Sequence, residues 1–112
     1  MKTITTNELK TLKSQNGNLT LVNTLSAAAF EGTKIPGAVN IPLESSDFVA
    51  RVEQKAGSKA KPVVVYCASK ECNSSEDAAK KLEAAGFTAV SRYTDGAAAW
   101  QKDAGVHAGH CG

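Results

Sequence analysis

Val63-Val64-Val65-Tyr66-Cys67-Ala68-Ser69-Lys70-Glu71-Cys72-Asn73-Ser74-Ser75 is the stretch on which the reading of the fold turns. A β-branched run stops at a cysteine, crosses a short polar segment with a second cysteine, and meets a serine pair that opens a helix. That order places a thiol at the carboxyl end of a buried strand and beside the amino end of a helix. Open α/β sheets carry ligands and reactive groups at that edge. Backbone amides and the positive end of a helix favour an anion there, so a thiol in this loop is expected to ionise more readily than an ordinary cysteine. The stretch specifies a candidate nucleophile as well as a strand.

On the amino-terminal side, Ile4 begins an extended piece, and Thr6 reads as the N-cap of a helix over Asn7–Ser14 with Leu9 and Leu12 on one face. Leu19–Thr24 is a mostly apolar, central strand, and Ser26 caps a short helix, Ala27–Glu31, that stops at Gly32. Ile35-Pro36-Gly37-Ala38-Val39-Asn40-Ile41-Pro42 is a turn feeding a brief strand between two prolines. Ser46–Ala56 forms a helix with Phe48, Val49 and Val52 on its apolar face and Gly57 as its stop. On the carboxyl-terminal side, a helix over Ser74–Ala85 ends at Gly86, Phe87–Val90 is the next strand, and Ala97–Asp103 is a last helix carrying Trp100. Strands alternating with helices predict an α/β fold: a three-layer sandwich of four to five mainly parallel strands with helices on both faces.

The 112 residues make one domain, and 42% hydrophobic content argues against disorder. A net charge of +2 without a basic stripe excludes nucleic acid as the expected partner. Neither a signal-type leader nor a membrane-spanning length of apolar sequence is present, so the expectation is a cytoplasmic protein without membrane contact. Cys67, Cys72 and Cys111 form an odd set, and the five-residue step from Cys67 to Cys72 is not that of a C-x-x-C redox or zinc pair. The tail 107–112, with His107, His110 and Cys111, reads as a frayed terminus beyond a domain at 1–106, although imidazoles and a thiolate are metal-ligand types. No metal is expected.

The ordered set of Ile35–Pro42, Val63–Cys67, Gly86–Val90 and Asp95–Trp100 resembles the rhodanese domain, over nearly the whole chain from Ile4 to Val106. The resemblance implies a rhodanese-like sandwich and sulfane-sulfur transfer without a cofactor. A cysteine thiolate takes sulfur from a small donor such as thiosulfate or a persulfide. It passes that sulfur to a thiol or cyanide, or to a protein partner in a sulfur relay. On this reading Cys67 is the strand-end nucleophile. Ala68, Ser69, Lys70, Glu71, Asn73, Ser74 and Ser75 form the substrate-binding loop, whose amides stabilise the thiolate and the persulfide.

The chain also departs from the family pattern. A common rhodanese loop reads Cys-x-x-Gly-x-Arg-Ser, whereas here Lys70 stands at the glycine, Cys72 at the arginine, and Ser75 matches the closing serine of a longer loop. Lys70 offers a point charge without bidentate geometry. The second strand has Asn23-Thr24-Leu25 where the family often has Asp-x-Arg, and Gly32 is followed by Thr33 and Lys34 instead of a histidine. In these respects the chain resembles a variant group with a Cys-x-x-x-x-Cys loop. Cys72 stays open between a resolving thiol, a second sulfur carrier, the primary nucleophile by its nearness to the helix, and an inert residue. Two rival functions follow: a partner-binding or redox-sensing module using a Cys67–Cys72 disulfide, and a phosphatase or arsenate reductase on the same fold. The second lacks an arginine clamp between Cys67 and Ser75.

Overall fold

A computed structural model describes residues 2–15, 19–35, 37–68 and 74–104, the side chains of 101–104 excepted. In chain order the elements are β1 (Lys2–Ile4), α1 (Thr6–Gln15), β2 (Thr20–Asn23), α2 (Ala27–Thr33), β3 (Val39–Asn40), α3 (Phe48–Ala56), β4 (Val63–Tyr66), α4 (Ser74–Ala84), β5 (Val90–Tyr93) and α5 (Gly96–Ala104). The five strands form one sheet in the order β1-β5-β4-β2-β3, with every pairing parallel.

Pleating divides the core into two layers. Val63 and Val65 of β4 join Val22, Phe48, Val52, Ala78, Leu82 and Val90 on the face covered by α3 and α4. Val64 and Tyr66 turn the other way, to Ile4, Leu9, Tyr93, Ala97 and Trp100 under α1 and α5. A strand apolar on both faces must be central, and β4 is the middle strand. Among the described residues no helix is long and apolar enough to cross a membrane.

The last strand lies further along the chain than the sequence reading put it, at Val90–Tyr93 and not Phe87–Val90. The cause is the end of α4. Phe87 N–H donates to Leu82 C=O at 3.1 Å and Gly86 N–H to Glu83 C=O at 3.0 Å, the paired bonds of a Schellman cap, with Gly86 at φ +104°. Phe87 then packs in the same core layer as Leu82, so its apolar character serves the cap and not a strand.

Two other helix ends also differ. Thr5, not Thr6, caps α1: Glu8 N–H donates to Thr5 Oγ1 at 3.2 Å and Thr5 N–H to Glu8 Oε1 at 2.9 Å, a reciprocal capping box. The Thr6 hydroxyl bonds the Tyr93 hydroxyl instead. Helix α2 continues through Gly32 to Thr33, whose hydroxyl donates to Ala29 C=O at 2.7 Å and accepts from Asn23 Nδ2 at 3.0 Å. Side-chain bonds from Thr33 thus outweigh the helix-breaking tendency of the glycine.

Candidate active site

From β2 the chain moves outward to β3, then returns to lay down β4 beside β2 and continues outward to β5. The direction of winding therefore reverses between β2 and β4, and the crevice beyond their carboxyl ends is where such sheets bind ligands. Cys67 is the first residue after β4 at that switch point, and it is buried.

The backbone around it is tied from both sides. Thr24 N–H and Oγ1–H both donate to Tyr66 C=O, at 3.2 and 3.3 Å. On the other side, the first turn of α5 is satisfied by the extension of β4: Ala97 N–H donates to Cys67 C=O and Ala98 N–H to Ala68 C=O, each at 2.9 Å. These helix amides would otherwise lack partners, so the two bonds both satisfy the start of α5 and fix the cysteine backbone.

The side chain points to the α4 face, as alternation from Val63 and Val65 requires. The Cys67 thiol donates to Ser75 Oγ at 3.6 Å, in the first turn of α4. Ser75 is itself 1% exposed, and its oxygen also accepts from Arg92 Nε at 3.0 Å. Arg92 comes from β5, paired in register with Val65 two residues before Cys67, and its side chain is only 11% exposed. Its Nη1 lies 3.9 Å from Glu76 Oε1, and Glu76 also meets Lys80 Nζ at 3.1 Å on the surface of α4. Sulfur, hydroxyl and guanidinium thus form one line from β4 through α4 to β5, buried at Cys67 and Ser75 and partly buried at Arg92.

Arg92 was not among the residues picked out from the sequence. Its signal was there: in Val90-Ser91-Arg92-Tyr93, alternation sends Arg92 to the same face as Val90, at the carboxyl end of a parallel strand. Starting that strand three residues early hid this. The loop has no arginine, but the neighbouring strand brings one to its base. Continuing the β4–β5 register by two residues sets Thr94 across from Cys67, and Thr94 Oγ1 is buried with no hydrogen-bond partner among the described residues.

A cleft of about 300 Å³ opens beside the switch point, lined by Thr24, Leu25, Ser26, Ala29, Leu43, Glu44 and Ser74. Leu25, at the place of the family's strand arginine, gives that cleft an apolar side chain beside the polar Thr24, Ser26, Glu44 and Ser74. Asn23, at the place of the family's aspartate, is fully buried and holds the strand end: its Oδ1 accepts from Leu25 N–H at 2.9 Å and its Nδ2 donates to Thr33 Oγ1 at 3.0 Å.

Of the residues predicted from sequence, Cys67, Ala68, Ser74 and Ser75 therefore gather at the β4–α4 junction. Ser69, Lys70, Glu71, Cys72 and Asn73 lie outside the described residues, as do Pro36 and the tail with His107, His110 and Cys111.

An all-parallel sheet with a thiol at its switch point, facing the start of the next helix, defines an α/β protein with a strand-end cysteine site. The model of the rhodanese-like domain matches residues 5–103, and the chain belongs to that family. Among solved structures it is similar to a rhodanese-like domain from Anabaena sp., at 27% identity and TM-score 0.75 over 92% of this chain and 75% of that one. It is also similar to a protein of unknown function from Rhodopseudomonas palustris, a possible tyrosine phosphatase, at 27% identity and TM-score 0.72 over 94% of this chain and 82% of that one. A thiosulfate sulfurtransferase from Pseudomonas aeruginosa shares the fold at TM-score 0.79 and 20% identity, over 93% of this chain but 19% of that longer one. Comparison with curated proteins gives no match.

Proposed function

We propose that the chain is a sulfurtransferase that carries sulfane sulfur as a persulfide on Cys67, within a domain spanning 1–106 followed by a short tail at 107–112. The observation that carries this reading is the Cys67 sulfur, 3.6 Å from the Ser75 hydroxyl in the first turn of α4. Helix amides and an orienting hydroxyl suit an anionic sulfur better than a structural thiol.

With thiosulfate as donor, the Cys67 thiolate attacks the outer sulfur. A Cys67 S–S bond forms, the donor's S–S bond breaks, and sulfite leaves with its electron pair. The persulfide then gives its outer sulfur to cyanide or to a thiolate, and the Cys67 thiolate is restored. With a small persulfide as donor, the leaving group is the corresponding thiolate. Neither step needs a metal or an organic cofactor. Ala68, Ser74 and Ser75 at the junction, with Ser69, Lys70, Glu71 and Asn73 of the loop, are the proposed substrate-binding set. Cys72 is the proposed second thiol, able to receive the sulfur.

Similarity to the Rhodopseudomonas palustris protein favours phosphate-ester hydrolysis as a second reading. It would require a clamp for the transferred oxyanion, whereas Arg92 is engaged by Ser75 and Glu76. Turnover separates the two. Wild type should form thiocyanate from cyanide with thiosulfate or a small persulfide, Cys67→Ser should not, and neither should hydrolyse an aryl phosphate. Aryl phosphate hydrolysis that depends on Cys67, without sulfur transfer, would replace this proposal with the second.

A further inference from the structure

We propose that Arg92 is the positioning residue of this site: by holding the Ser75 oxygen through Nε, it aims the Ser75 hydroxyl at the Cys67 sulfur and compensates the charge of the ionised thiol. The inference deepens the sulfur-transfer reading by naming the group that prepares the nucleophile, and it rests on that reading only for its catalytic consequence.

A serine oxygen has two acceptor sites and one rotatable proton. In this structure Arg92 Nε fills one site at 3.0 Å and the Cys67 thiol approaches the other at 3.6 Å. When the thiol releases its proton to solvent, the Ser75 hydroxyl turns and donates to the sulfur. The guanidinium then stands one hydroxyl away from the new negative charge. The guanidinium brings positive charge to within one hydroxyl of the sulfur, so the arrangement favours the anion. Ser75 is buried and the Arg92 side chain only 11% exposed, so solvent screens the line weakly.

Among the described residues, charged groups border it from α4 and from the cleft, where Glu44 is a lining residue with Ser74. From α4, Glu76 lies 3.9 Å from Arg92 Nη1 and is itself held by Lys80 at 3.1 Å. From β2 the residue in line with Cys67 is Thr24, which does not titrate, while Asn23, Tyr66 and Tyr93 turn to the opposite layer. Lys70 and Glu71 are the charged residues of the connecting loop. Glu76 draws on the outer edge of the guanidinium, leaving Nε directed at Ser75. The geometry makes Arg92 a servant of the thiol and not a clamp for a substrate oxyanion.

The test is a pH titration of the thiolate's ultraviolet absorbance in the full chain with Cys72 and Cys111 replaced by serine, so that Cys67 is the thiol observed. Arg92→Met should raise the titration midpoint by about one pH unit, the size expected from losing a charge-assisted hydrogen bond. Arg92→Lys should recover part of that shift, since it restores charge without the planar Nε donor. Ser75→Ala should raise the midpoint as well, and Arg92→Met combined with Ser75→Ala should add little beyond either alone. Thermal melts of each variant report folding separately, and Ser75→Ala serves if Arg92→Met does not fold. An unchanged midpoint in Arg92→Met, or fully additive shifts in the double variant, overturns the proposal. Donor turnover is measured in parallel: loss of the relay with transfer intact counts against Arg92, whereas an intact relay without transfer counts against the sulfurtransferase reading.

Discussion

Replacing Tyr66 by Phe removes one oxygen from the tie between β4 and the segment after α2. The Tyr66 hydroxyl donates to Thr33 C=O at 3.0 Å and accepts from Ile35 N–H at 3.1 Å, with Ile35 and the Tyr66 ring both fully buried. Thr33 C=O keeps a partner in Asn23 Nδ2 at 3.4 Å, so the main loss is a stranded Ile35 amide. One unsatisfied buried donor costs about 1–3 kcal/mol, and the surviving Asn23 bond places the expected loss at roughly 1–2 kcal/mol. Urea unfolding followed by far-ultraviolet circular dichroism should show a midpoint lower by about 0.5–1 M at an unchanged slope.

The same residue has a pH signature. Burial pushes the Tyr66 phenol above its ordinary value, against the opposing pull of hydrogen bonds from Asn23 and the Ile35 amide. A group raised in the folded state contributes stability that is complete below its unfolded value, about 10 for tyrosine, and is lost as pH climbs through the folded value. The gap between wild type and Tyr66→Phe should therefore narrow above about pH 10. Equal stability of the two proteins at neutral pH, or a gap that stays constant into the alkaline range, would refute the reasoning.

Two further outcomes are expected from the packing. Gly86→Ala should lose about 1 kcal/mol in urea unfolding through left-handed strain alone, because the added methyl would meet only the Lys59 side chain at 3.7 Å; an unchanged midpoint would contradict the Schellman account. Thr94→Val should be neutral or gain up to about 1 kcal/mol, since it removes a buried hydroxyl with no partner among the described residues; a melting temperature lower by several degrees would show that the hydroxyl is bonded.

What the sequence made legible follows from how each signal is written. The β4 run is apolar on every residue because both faces of the central strand are covered, so its place and the position of Cys67 at its end were readable directly. Leu9, Phe48 and Val52 were readable from helical spacing and are core residues, while Leu12 and Val49 of the same faces are half-buried against that core. Element ends were less legible, because Phe87 and Thr6 carry local signals that match two roles, and long-range partners chose between them. Arg92 was illegible for a different reason. Its function depends on β5 lying beside β4, a pairing between segments separated by α4, and on the exact starting residue of β5. The Cys67–Ser75 pairing was half legible, as proximity of a strand end to a helix start, while the Arg92 contact that completes it emerged only from the fold.

The most direct test of Cys67 as the sulfur-bearing nucleophile is site-resolved mass spectrometry after exposure to thiosulfate or a small persulfide. Wild type should gain the mass of one sulfur atom on the peptide containing Cys67, blocked by alkylation and removed by cyanide, and Cys67→Ser should gain none. Cys67→Ser protein that takes up the extra sulfur as fully as wild type would contradict the account.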